Sequence, residues 1–208
     1  MRISMVVEVR DAATGRPAAS GVTGVSEHES GEITEFTAGS DLTLDGNWGR
    51  ELPGEHTITV WKPGYLPYVA NADVDADMCH VKREIVEAEI APDPRAVPED
   101  PISFTEGPDT TGGWPSASAE VQVYGDTLEI KGLAQTRSCT ELRVVAFRSG
   151  TRLHAQVEPS DLPLGDECVG SRRFEARFSL PSRATNLLVT NAVYFPAVLF
   201  DGEVRPAE

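Results

Sequence analysis

The sequence predicts an all-β protein made of two β-sandwich-like domains. Three observations carry this prediction. Short segments of polar–apolar alternation recur along the whole chain, separated by clusters of Gly, Pro, Asp, Asn and Ser. No window shows an apolar stripe at helical spacing with a proper cap. The stretch APDPRAVPEDP, residues 91–101, holds four prolines and four charged residues and reads as a semi-rigid linker. With 208 residues, the chain is long enough for two domains of about 100 residues. The division expected is 1–91, a linker at 92–101, and 102–208.

The elements follow in order. In ISMVVEVRDAATGRP, Met5, Val7 and Val9 share one face, and Asp11 to Pro17 supply a turn. Short strands are expected at Gly21–Ser26 and Ile33–Phe36, and Leu42 and Leu44 stand two apart before the Asp45-Gly46-Asn47 turn. In EHTITVWKPGYLPY, residues 55–68, His56, Ile58 and Val60 alternate with Thr57 and Thr59. Pro63 lacks an N–H and ends the ladder, and Gly64 permits a sharp turn. Across residues 79–91 the apolar side changes from Val81 and Ile85 to Val86, Ala88 and Ile90, which predicts a bulge or a crossing between layers. ISFTEGPDTTGGWPS, residues 102–116, reads as irregular. Two strands are expected around Gly125-Asp126 and a hairpin around Ser149-Gly150. Phe174, Ala176, Phe178 and Leu180 alternate in a further strand, and residues 183–202 supply the last one or two. Many short strands at this spacing indicate a sandwich or a barrel.

The formal net charge is −15, from 33 acidic and 18 basic side chains. Phosphate recognition relies on Lys and Arg, so this balance argues against nucleic acid and anionic lipid as partners. A soluble, acidic surface is the simpler reading. No apolar run approaches the length of a membrane helix, so no membrane insertion is expected. The amino terminus, MRISMVVEVRD, is interrupted by Glu8 and does not resemble a signal peptide. The default setting is therefore cytoplasmic, and extracytoplasmic if a leader has been removed.

Chemistry has few footholds. The three cysteines, Cys79, Cys139 and Cys168, form no CxxC motif. Cys139 and Cys168 share the second half and are candidates for one disulfide, with Cys79 unpaired; the absence of a leader favours reduced thiols instead. In DVDADMCHVKRE, Asp73, Asp75, Asp77 and Glu84 follow an EF-hand count, but Met78 occupies the position that requires glycine, so no tight calcium site is expected. EHESGE, residues 27–32, places His28 among Glu27, Glu29 and Glu32, and reads as solvated charge. No nucleophile elbow or phosphate-binding loop is present, and no cofactor is expected. The candidate ligand surface comprises Trp48, Lys62, Tyr65, Tyr68 and Trp114; for both tyrosines, covering the end of a core is the first reading.

The first half carries a resemblance. VEVRDAATGRPAASGV, residues 7–22, is similar to the opening of the carboxypeptidase regulatory-like family of prealbumin-like (transthyretin-like) β-sandwiches, where a strand enters a D-x-x-T-G-x-P turn. LTLDGNWGRELPGEHTITVWKPGYLP, residues 42–67, resembles the family's second hallmark through Pro53-Gly54, the alternation His56-x-Ile58-x-Val60, and Pro63-Gly64-Tyr65. His56 stands where the family usually has an aromatic, and Val25 to Ser40 is more polar than the usual middle strand. The resemblance implies a non-catalytic accessory module over residues 1–91. Enzymes on related sandwiches use a terminal tail or an iron site of two histidines and two tyrosines. This chain ends DGEVRPAE, and its four histidines, His28, His56, His80 and His154, are scattered. The function expected is therefore a non-catalytic binding or scaffolding protein with a protein or carbohydrate partner. The alternative is a hydrolase of carbohydrate or peptide with an acidic cleft between domains.

Overall fold

A computed structural model describes residues 5–38, 40, 42–46, 52–76, 81–110, 117–136, 141–160, 170–180, 185–191 and 197–205. The chain divides into two compact units, Met1–Asp93 and Pro94–Glu208. Every regular element among the described residues is a strand. No helix among them is long and apolar enough to cross a membrane.

The first unit holds β1 (Met5–Asp11), β2 (Thr23–His28), β3 (Ile33–Glu35), β4 (Thr37–Ala38), β5 (Thr43–Gly46), β6 (Gly54–Trp61), β7 (Tyr68–Val74) and β8 (Glu84–Ile90). They form two four-stranded sheets, ordered β4-β5-β1-β8 and β3-β2-β6-β7. The inward positions of both sheets close one core, with Met5, Val7, Val9, Leu44, Ile58 and Ile90 all at or below 1% exposure. Burying each such side chain contributes about 1.5–3 kcal/mol. Phe36, just past β3, is fully buried and fills the space above Gly46, where a Cβ would lie 2.4 Å from its ring.

β8 accounts for the change of apolar side in the sequence. Val81 precedes the strand and bridges Ala76, while β8 runs in continuous parallel register with β1. Val86, Ala88 and Ile90 point inward and Ile85 is 52% exposed, so the strand itself needs no bulge.

The second unit holds β9 (Val97–Pro98), β10 (Ser103–Thr110), β11 (Ser118–Tyr124), β12 (Thr127–Thr136), β13 (Leu142–Ser149), β14 (Arg152–Pro159), β15 (Gly170–Ser179), β16 (Thr185–Asn191) and β17 (Ala197–Val204). Its sheets are ordered β10-β15-β12-β11 and β17-β16-β14-β13-β9. Between them lies a core that includes Leu128, Ile130, Phe178, Leu153, Leu187 and Val189. The β11–β12 and β13–β14 hairpins close through two-residue loops, Gly125-Asp126 and Gly150-Thr151. Gly125 and Gly150 lead these loops at φ 59° and 60°, where a side chain would be strained. β14 and β16 are parallel neighbours because β15 crosses to the other sheet between them.

Two segments differ from the sequence reading. Part of residues 102–116, read as irregular, is β10: an edge strand paired only with β15, with a register break between Glu106 and Asp109. Gly107 and Pro108 fall in that break. An edge strand tolerates a proline because one row of its N–H groups needs no ladder partner. In the Pro-rich stretch, Pro92 bridges Tyr65, while Val97 and Pro98 pair with Arg148 and Phe147 of β13. Arg148 also grips the Glu99 carboxylate.

Candidate functional site

Asp11 ends β1 and organises the turn after it. Its Oδ1 accepts hydrogen bonds from the backbone N–H groups of Ala13 (3.0 Å) and Thr14 (2.8 Å), and from the Thr14 hydroxyl (3.0 Å). This is the local capture that makes Asp a turn residue. Gly15 follows at φ 68°. The other carboxylate oxygen, Oδ2, accepts the Tyr65 hydroxyl at 2.9 Å, across 54 residues of sequence. Lys62, in the same turn as Tyr65, donates to the Ala18 carbonyl at 3.0 Å, and its ammonium lies 5.3 Å from the centre of the Tyr65 ring. Tyr65 and then Thr14 hold the Asp11 carboxyl below its ordinary range; burial, followed by Asp11, pushes the Tyr65 phenol up. The Lys-Pro-Gly-Tyr turn thus recognises the first turn of its own chain.

Tyr68 has a similar internal role. Its hydroxyl donates at 2.9 Å to the backbone carbonyl of Glu87. β7 and β8 are edge strands of the two sheets, so this bond ties one edge to the other. The hydrogen bonds described for Lys62, Tyr65 and Tyr68 all lie within the first unit. Trp48, Trp114, Cys79, Cys139 and Cys168 lie outside the described residues, as do His80 and Asp77. Asp75 pairs with Lys82 at 3.2 Å, and Asp73 lies in β7 opposite Glu55.

A polar cleft of about 290 Å³ opens at the β2–β6 end of the first unit, bordered by Glu27, His28, Glu29, Glu55 and His56. His28 and His56 are cross-strand partners, with ring centres 4.9 Å apart and planes tilted by 57°. His28 Nδ1 accepts from the Ser30 N–H (3.2 Å), so its Nε2 carries the proton that goes to the Pro53 carbonyl (3.1 Å). His56 Nε2 faces the Leu52 carbonyl at 3.0 Å and must donate to it; its Nδ1 meets the Ser26 hydroxyl at 2.8 Å. The partners thus place a proton on Nε2 of each ring. Both nitrogens of each ring are engaged, so the pair fastens residues 52 and 53 to β2 and β6. Among the described residues, no group of three His, Cys, Asp or Glu side chains could hold a metal. Sequence reasoning placed His28 in solvent; its side chain is 11% exposed. The signal was hidden because His28 and His56 become neighbours only through strand register.

His154 in the second unit is buried on β14. Its Nε2 lies 3.0 Å from the Thr190 hydroxyl, which donates to Gln156 Oε1 at 3.2 Å. The chain continues from Gln156 Nε2 to Glu158 (2.9 Å), whose carboxylate also takes Arg143 at 2.6 Å. Since the Thr190 hydroxyl gives its proton to Gln156, it accepts one from His154 Nε2. Burial, aided by the Arg152 charge, lowers the His154 imidazole to about 3, so the ring stays neutral.

A scan against protein-family models and searches of curated proteins and of solved structures give no match to this chain.

Proposed function

We propose that this chain is a non-catalytic scaffolding or binding protein whose first unit is an accessory sandwich of the carboxypeptidase regulatory-like kind. The observation that carries the reading is the Tyr65–Asp11 hydrogen bond. The two sequence segments on which the resemblance rests are physically joined by it. Among the described residues of the two motifs, Asp11, Lys62 and Tyr65 bind within the unit's own turns, which supports a structural role for them. Accessory modules work in this way: rigid sheets fix the loop ends, and the loops present a surface. The engaged ring nitrogens of His28 and His56 favour the same reading, because a general base needs an accessible lone pair.

The test is a glycan and peptide binding array run with a broad hydrolase panel on the full chain. The expected result is retention of one ligand class with no turnover. Turnover that disappears when a single carboxylate is replaced would overturn the non-catalytic assignment.

A further inference from the structure

The outer face of the β10-β15-β12-β11 sheet carries a lattice of ion pairs. Leu128, Ile130, Phe174, Ala176 and Phe178 point into the core. By strand alternation, Glu129, Lys131, Arg173, Glu175 and Arg177 point away from it. Glu129 is only 2% exposed. Its carboxylate pairs with Lys131 Nζ at 2.5 Å and with Arg177 Nη2 at 2.7 Å, and accepts a hydrogen bond from Arg177 Nε at 2.9 Å. Glu175 lies 2.9 Å from Arg177 and 3.7 Å from Lys131. Beside the lattice, Glu106 holds Arg172 at 3.1 Å and the Leu142 N–H at 2.8 Å.

Arg173 is the exception. It is exposed, and among the described residues no carboxylate pairs with it. The chain has 33 acidic side chains against 18 basic ones, so an unpaired cation inside a lattice of pairs stands out. A cleft of about 290 Å³ opens beside it, walled by Thr105, Gly107, Lys131 and Glu175. The register break of β10 lies opposite Arg173. Bulges of this kind re-aim side chains next to binding sites. A Cβ on Gly107 would lie 3.2 Å from the Arg173 Cβ. A side chain there would crowd the arginine, and glycine keeps the space clear.

We propose that this cleft binds a small carboxylate-bearing ligand of single-ring size, such as a uronic acid, through the Arg173 guanidinium. Arginine presents two parallel N–H donors that match a carboxylate. The cleft volume falls at the lower end of small-molecule sites, about 300 Å³, which limits the occupant to one ring. Thr105 and Glu175 supply the hydroxyl and carboxylate oxygens that a sugar's own hydroxyls require. The inference concerns the second unit and stands independently of the accessory-module reading of the first.

The experiment is a two-dimensional amide NMR titration of the full-length protein with D-glucuronate, D-glucose and acetate. Glucuronate is expected to shift the amides of Thr105–Gly107, Lys131–Gly132 and Arg173–Glu175 saturably, with a Kd on the order of 1 mM. Arg173→Gln, checked as folded by an otherwise unchanged spectrum, should weaken binding about tenfold or more. Arg83→Gln, in the other unit, should leave binding unchanged. Absence of saturable shifts, or equal binding by Arg173→Gln, overturns the site. Acetate or glucose binding as tightly as glucuronate overturns the ligand class.

Discussion

At the scale of single residues, His154 shows how burial turns a titratable group into a condition on folding. Its folded value of about 3 lies below the ordinary 6.5. The neutral ring is therefore favoured in the folded state and the charged ring in the unfolded one. Stability from this group is complete above pH 6.5 and is lost as the pH falls toward 3. Between pH 8 and pH 5 the loss amounts to about 2 kcal/mol. The urea midpoint of the second unit should fall over that interval. His154→Gln can still donate to Thr190 and does not titrate, so its midpoint should change less. An equal slope in both proteins would assign the acid sensitivity to other groups. Asp11 illustrates what single residues reveal in sequence. Its turn-forming role was legible from D-x-x-T-G, because the captured N–H groups lie two and three residues away. Its bond to Tyr65 was not, because nothing local links positions 54 apart.

At the scale of elements, strand period and turn chemistry carried most of the information. The β11–β12 and β13–β14 hairpins fall where Gly125-Asp126 and Ser149-Gly150 placed them. Both signals are local: one glycine with positive φ between two alternating runs. β10 is not legible in the sequence because Gly107 and Pro108 break its alternation, and an edge strand with a bulge tolerates both. The pairing of Phe36 with Gly46 makes a test of packing between elements. A methyl at position 46 would collide with the Phe36 ring at 2.4 Å. Gly46→Ala should cost about 1–3 kcal/mol through overpacking, and Phe36→Ala about 3–5 kcal/mol through the cavity it leaves. Gly46→Ala combined with Phe36→Leu should be less damaging than the sum of the single changes, since the smaller side chain vacates the contested space. Denaturant unfolding of Gly46→Ala, Phe36→Leu and their combination measures this, and strict additivity would contradict the proposed contact.

At the scale of the whole molecule, each unit closes its own core, one around Ile58 and Leu44, the other around Leu187 and Phe178. Leu187→Ala removes a fully buried side chain and should cost about 2–5 kcal/mol. Amide hydrogen exchange should report the loss over residues 94–205, with protection over residues 5–93 maintained. Loss across both ranges would mean that the chain unfolds as one cooperative body.

The all-β class was determined by the sequence alone. Alternation with a period of two, turn residues between the runs and the lack of a helical stripe are properties of neighbouring residues, and backbone stereochemistry reads them without further context. Which strands adjoin was decided by tertiary structure. β1 lies parallel to β8, and β14 to β16, because intervening strands cross to the opposite sheet. The same pairing set the fate of the conspicuous side chains. It brought His28 against His56 and Tyr65 onto Asp11, and it left Arg173 with no paired carboxylate among the described residues. A side chain's partners depend on strand order and register. Those are settled by burying both apolar faces of each sandwich at once, a condition on the whole chain that no short segment expresses.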